Sequence, residues 1–409
     1  MTCITVQLGQ YGNQLGAQFF KLLSEQASSD LLLSDQTFFR SSSSTLVPRS
    51  VLIDLEPKVV EQVRTCETST FQFDSSNFFS SSSGASNNWA IGYASGEGQE
   101  AALNLIRREI ERAPSVSSLL LFQSLAGGTG SGLGSAVVEA LADTYQELKI
   151  IAQTVFPFSF GEVIVHSLNA TLSLSKLLDS TDGVITTSND VISEIAGKIL
   201  HIKNPSFSDL NGIISNHLAS ILCPGDDTIS FNSLVDSVFF SPYYKLASVF
   251  VNPIVPTRAL EFTNDKWSAL INQQINMIKN DNLIGGVSRS FGVGNYVSAA
   301  GNLWGTGSGD ASSSAQECFT SNQSNWSRIV KSCTFGSSNH NLIGVDKMLG
   351  TLVTSSHQSK FLENISDRAS LLINSGAYLH HYQENGMEKE DLLNAIAVVE
   401  SFKNRYKNL

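Results

Sequence analysis

Cysteine is sparse in this sequence and its spacing is uninformative for metals. The five residues, Cys3, Cys66, Cys223, Cys318 and Cys333, include no C-x-x-C pair. That fits a reduced cytoplasmic protein better than a zinc ribbon or a disulfide framework. The seven histidines fall into no ligand spacing, and the adjacent His380 and His381 read as a helix surface. No apolar run approaches the length of a membrane span. The start, "MTCITVQL", lacks the basic segment of an export signal. Positive charge is scarce as well. The 26 Lys and Arg stand against 37 Asp and Glu, a net charge of −11. A surface of that sign does not suit nucleic acid. Neither nucleic acid nor membrane is therefore expected as a partner.

What the chain does have is a core and an alternating pattern. Hydrophobic residues make up 42% of the 409, enough for two or three domains or subdomains. Strand-like runs "ITVQL", "VLIDL", "SLLLF", "IIAQTVF" and "GVITTS" alternate with helical ones such as "NQLGAQFFKLLSEQ". Alternation of this kind predicts an α/β fold: an open, mainly parallel sheet with helices on both faces. From about Phe207 a helix leads into a weaker mixture of strands and helices, expected as a smaller α+β second domain. The end, from Lys360 onward, predicts a C-terminal helix pair joined at "ENG". Serine tracts at Ser41–Ser44 and Ser80–Ser83 are expected as surface loops. The stretch "GTGSGDASSSAQ" (Gly305–Gln316) is expected as exposed linker.

The densest local signal is "SLAGGTGSGLGS". A hydrophobic run, Leu119–Phe122, enters a loop with Gly127, Gly128, Gly130 and Gly132 plus the hydroxyls of Thr129 and Ser131, and a helical pattern follows. Helix starts present unpaired N–H groups and partial positive charge, and glycines let an anion reach them. A Walker loop is excluded because no lysine is present. A dinucleotide fingerprint is excluded by spacing and because the next strand ends in Phe-Pro without an acid.

"GGTGSG" opening a helix resembles the tubulin family and its bacterial cousins, and further loops follow in that family's order. "VQLGQYGNQLG" resembles the amino-terminal loop, which implies contacts of Gln10, Tyr11 and Gln14 with phosphate, base and metal-linked water. "LIDLEP" resembles the acidic loop. Asp54 and Glu56, two apart on an extended segment, face one way and suit Mg2+ beside a polyphosphate. "SGASNNWAIGY" resembles the loop that senses the terminal phosphate, with Asn87 and Asn88 as its amide pair and Ser86 where the family usually has glycine. By the same resemblance Glu162 takes the ribose hydroxyls. Asn189 and Asn211 read guanine, and Phe207 stacks on the base. GTP or GDP with Mg2+ is the implied cofactor set.

Within the tubulins the chain resembles the delta type in "TVQLGQ", "EPKV", "NNWAIGY" and "AGGTGSGLG". The resemblance implies a nucleotide-binding domain at 1–205, a central helix with an intermediate domain at 206–358 and a helical pair at 359–409. It implies a role in centriole or basal-body microtubules, in the cytoplasm and cytoskeleton. Other tubulins, microtubules and centriolar or basal-body proteins are the implied partners. A structural pseudo-GTPase, or another non-alpha/beta tubulin with a nucleating role, is the alternative. The family's water-positioning glutamate falls near Ser233, which has no carboxylate. Asp236, one turn on, is the nearest acid and the candidate catalytic residue.

Overall fold

The computed structural model describes every residue except 1, 27–35, 43–44, 66–69, 160–162, 257–258, 260–265, 281–293 and 324–332. Twelve strands form among the described residues: β1 (Thr2–Leu8), β2 (Phe39–Ser42), β3 (Thr45–Pro48), β4 (Ser50–Asp54), β5 (Phe78–Ser80), β6 (Val116–Ser124), β7 (Lys149–Phe156), β8 (Gly183–Ser188), β9 (Leu246–Asn252), β10 (Tyr296–Gly305), β11 (Thr334–Ser338) and β12 (Lys347–Ser355). Ten of them make one sheet in the order β11-β10-β12-β9-β8-β7-β6-β1-β4-β5. The run from β5 to β9 is parallel throughout, whereas β12 pairs antiparallel with both β9 and β10. The expected mainly parallel sheet is present, and its antiparallel part holds the smaller second unit.

Strands covered on both faces need apolar side chains at every position, not alternate ones. β6 shows the reason. Leu120 and Phe122 join the core that includes Phe19, Leu218 and Val249 on one face. Leu119 and Leu121 join the opposite core with Val137, Phe402 and Tyr406. The first core lies under the helix Gly9–Gln26 and the central helix Phe207–Leu222. The central helix starts sharply because Ser206 and Asp209 exchange side-chain bonds with each other's backbone amides, a capping box. A third core, with Phe250, Ile275, Phe319 and Phe335, serves the antiparallel end.

The serine-rich stretch after Gly305 is not a linker. Ser308–Asn322 is a helix that buries Ala311, Ala315 and Phe319. These recur every four residues and fill one face, so three small or aromatic contacts outweigh a serine-rich composition. The chain closes with the helices Gln358–Ser375 and Lys389–Lys407, the expected pair, plus a short helix, Leu379–Gln383, between them. Gly376 at φ 70° and Tyr378 at φ 62° end the first helix before "ENG" is reached. His380 and His381 are exposed on that short helix, as expected. The pair is pinned to the sheet by Tyr406, whose buried hydroxyl accepts from the Leu246 amide at 2.7 Å and donates to the Leu246 carbonyl at 3.0 Å.

Candidate functional site

Strand order locates the site before any side chain is considered. From β1 the chain proceeds outward through β4 to β5, and from β6 it proceeds the other way through β7 to β9. The order therefore reverses between β1 and β6, and open parallel sheets bind ligands beyond the carboxyl ends of the strands at such a reversal. A cleft of about 630 Å³ lies there, a volume suited to a small organic ligand. Both glycine loops border it. Gly9, at φ +70°, passes so near the second loop that an added Cβ would lie 2.8 Å from the Gly130 nitrogen. Only glycine allows that conformation and that approach together. The second loop continues into one wide π-helical turn, Thr129–Leu133, before the helix Gly134–Thr144, a deformation common at functional sites.

One end of the cleft is an array of backbone amides and carboxylates. Gly127, Gly128, Thr129 and Gly130 line it, together with Asp54, Glu56, Ser86 and Asn87. Ala85–Asn88 is a tight turn of the I′ kind, with the Asn88 amide donating to the Ala85 carbonyl at 2.7 Å and positive φ at Ser86 (47°) and Asn87 (54°). The serine thus adopts the left-handed backbone that glycine takes most readily. Ser86→Gly is expected to raise stability by about 0.5–1 kcal/mol, because left-handed backbone costs serine more than glycine. A urea titration of the two proteins checks this. A lower midpoint for the glycine variant would give the Ser86 hydroxyl a structural role of its own.

Asn169 holds this end together, and sequence reading assigned it no role. Its side-chain amide donates to the Asn87 carbonyl at 2.7 Å and to the Ala126 carbonyl at 2.8 Å. Its oxygen accepts the Trp89 amide at 3.0 Å and the Tyr382 hydroxyl at 2.7 Å. One buried side chain thereby joins the turn, the glycine loop and the C-terminal helices. Asn88 adds a second tie, capping Ala90 at 2.8 Å and donating to the His381 carbonyl at 3.0 Å. The "NATLS" run that contains Asn169 offers no signal of this, since its partners are remote in sequence.

Asp54 is 3% exposed, and burial pushes its carboxyl up to about 6 despite bonds from the Thr129 hydroxyl and the Glu56 and Leu55 amides. Glu56 beside it is exposed. Among the described residues no group of three or more His, Cys, Asp or Glu is gathered to hold a metal. A divalent ion at this pair would complete its shell from phosphate and water, which is magnesium's habit. The buried carboxylate, short of compensating charge, fits that role.

The other end is aromatic and amide-lined. Phe207 begins the central helix and is 62% exposed, with its ring 6.4 Å from Phe158. Asn211 lies one turn further on, and Asn189 starts the helix after β8. All of these line the cleft, as do Gln10, Tyr11, Gln14 and His166. Burial lowers the pKa of His166. The Tyr11 hydroxyl donates to Gln153 at 3.0 Å, so Tyr11 presents its ring to the cleft.

Three expected residues stand apart, and a fourth falls where nothing is described. Ser131 is buried and donates back to the Gly127 carbonyl. Gly132 lies behind the loop, where an added Cβ would sit 2.1 Å from the Trp89 carbonyl oxygen. Its lack of a side chain serves packing. Asp236 pairs with Lys149 at 2.9 Å, at the amino end of β7, roughly 25 Å from the cleft by strand rise. It cannot reach a ligand in its own chain's cleft. Glu162 lies outside the described residues.

A switch-point cleft flanked by two glycine loops, an acidic pair and an aromatic-capped central helix defines a tubulin-type nucleotide domain. Residues 2–197 match the model "Tubulin/FtsZ family, GTPase domain", and the chain belongs to that family. Along its whole length it is similar to the tubulin delta chain of Homo sapiens, 29% identical over an alignment of 460 residues covering 100% of both chains. The tubulin delta chains of Macaca fascicularis and Mus musculus are each 28% identical over 453 residues, again with complete coverage of both.

Proposed function

We propose that the cleft binds GTP and GDP, with Mg2+ beside Asp54 and Glu56. The chain then acts as a delta-type tubulin in the assembly or maintenance of doublet and triplet microtubules at centrioles and basal bodies. The observation that carries the nucleotide reading is the convergence of both glycine loops, the Ser86–Asn87 turn and the amide-lined Phe207 end on one cleft. The backbone amides of Gly127–Gly130, Ser86 and Asn87 face the phosphates. Asn189 and Asn211 supply donor and acceptor to guanine's edge, and Phe207 covers the base. Glu162, by resemblance, takes the ribose. The cellular role rests on whole-length similarity to delta chains. It brings with it other tubulins, microtubules and centriolar or basal-body proteins as partners, and a location in the cytoplasm and cytoskeleton. The division at 205 and 358 separates the nucleotide domain, the intermediate domain with the central helix, and the helical pair.

Hydrolysis is weak in this reading. Magnesium, when bound, would offset phosphate charge, but a water-orienting carboxylate is also needed. Asp236 is remote from its own cleft, held by Lys149, and Ser233 sits in the first turn of its helix, its amide donating to the hydroxyl of the capping Ser230 at 3.2 Å. A second tubulin must supply the missing acid. Protein purified and released by heat is expected to yield GTP or GDP. Its GTPase rate is expected to stay flat as its own concentration rises. An extract free of guanine nucleotide would overturn the binding assignment. A rate rising steeply with concentration, and lost on Asp236→Asn, would show that Asp236 works in trans. A tagged copy without basal-body enrichment in ciliated cells would overturn the cellular role.

A further inference from the structure

The cleft has one fixed positive charge among its described lining residues. Lys58 stands in the first turn of the helix Pro57–Thr65, two residues after Glu56, and lines the cleft with Gln62, one turn further along the same face. The other basic group on the wall, His166, is held toward its neutral form by burial. Lys58 is exposed and makes no ion pair with a described residue, so its ammonium is free to turn toward a ligand. The chain places it beside the acidic pair: Glu56 is two residues before it, and Asp54 bonds the Thr129 hydroxyl of the glycine loop.

The electrostatics there are unbalanced. The glycine loop offers neutral amides and contains no lysine. The magnesium proposed beside the two carboxylates offsets their charge, but each added phosphate oxygen charge still needs a positive partner. An ammonium on a flexible four-carbon stem supplies one as a point charge. We propose that Lys58 is a specificity-determining residue that contacts the terminal phosphate and sets the preference for a nucleoside triphosphate over the diphosphate. The proposal rests on the guanine-nucleotide reading above.

The test is equilibrium binding of fluorescent GTP and GDP analogues to the full chain and to Lys58→Met and Lys58→Arg. Both substitutions keep the stem at an exposed position, so the fold is retained. Lys58→Met is expected to lose roughly 10- to 100-fold in GTP affinity, the range of a charge-assisted hydrogen bond, with GDP changed less than about 3-fold and a shallower salt dependence for GTP. Lys58→Arg is expected to stay close to the unaltered protein for both nucleotides. Unchanged GTP binding by Lys58→Met, or equal losses for GTP and GDP, overturns the role of Lys58 while leaving the site intact. An unaltered protein that binds neither nucleotide overturns the site reading and this proposal with it.

Discussion

Asn169→Ala is expected to empty the cleft and to lower the stability of the protein by about 3–5 kcal/mol. The figure follows from what is left behind. The Trp89 amide and the Tyr382 hydroxyl lose their acceptor, and both residues are at most 1% exposed. The Asn87 and Ala126 carbonyls lose their donor. Each buried polar group without a partner costs about 1–3 kcal/mol, and bonds meeting at one side chain strengthen one another. The loss should reach the ligand because the two loops that Asn169 joins are the ones that carry the cleft's free amides.

Two companion variants separate packing from positioning. Tyr382→Phe removes one of the four bonds and leaves the two loops tied, so about 1 kcal/mol is lost and nucleotide is retained. Asn169→Asp keeps the acceptor but turns a second oxygen toward two carbonyls, so the loops are pushed apart. Retained guanine nucleotide per chain, with urea midpoints measured on the same samples, checks all three. Full nucleotide content and unchanged stability in Asn169→Ala would remove Asn169 from the site.

How far the sequence foretold this site depends on how local each signal is. Glycine loops, the D-L-E pair and an aromatic at a helix start are recognisable over a few residues, because each restricts backbone or charge where it stands. The residues they single out line one cleft in the structure. Asn169 was illegible for the opposite reason: an asparagine in a helix is ordinary, and its four partners lie 43 to 213 positions away. Gly132 misled in a different manner, since close packing against Trp89 and close approach to phosphate demand the same residue. The parallel half of the sheet was read from its hydrophobic runs. The helix Ser308–Asn322 was missed because alanine contributes little to a hydrophobic pattern, though Ala311, Ala315 and Phe319 share one face.

Asp54→Asn is expected to make the nucleotide-free protein more stable at neutral pH while weakening its use of magnesium. The folded-state pKa of Asp54 is raised from 3.8 to about 6, chiefly by burial. The folded protein therefore holds this proton more tightly than the unfolded chain does. The resulting stabilisation is complete below pH about 4 and is lost as pH rises through about 6. At pH 7.5 an ionised, desolvated carboxylate weakens the apo fold, by at most about 3 kcal/mol for a shift of this size. Asparagine removes that charge but must place an N–H among the donors that Asp54 accepts, so the expected gain is about 1–2 kcal/mol. Near pH 4.5, where the native side chain is already protonated in the folded state, the gain should vanish. Urea unfolding of nucleotide-free protein at the two pH values checks the sign. With GTP present, magnesium should raise the stability of the native protein and raise that of Asp54→Asn much less, because a dication beside the carboxylate supplies the charge its burial lacks. A loss of stability in the apo variant at pH 7.5, equal at pH 4.5, would make Asp54 a structural acceptor for the Thr129 hydroxyl and the Glu56 amide.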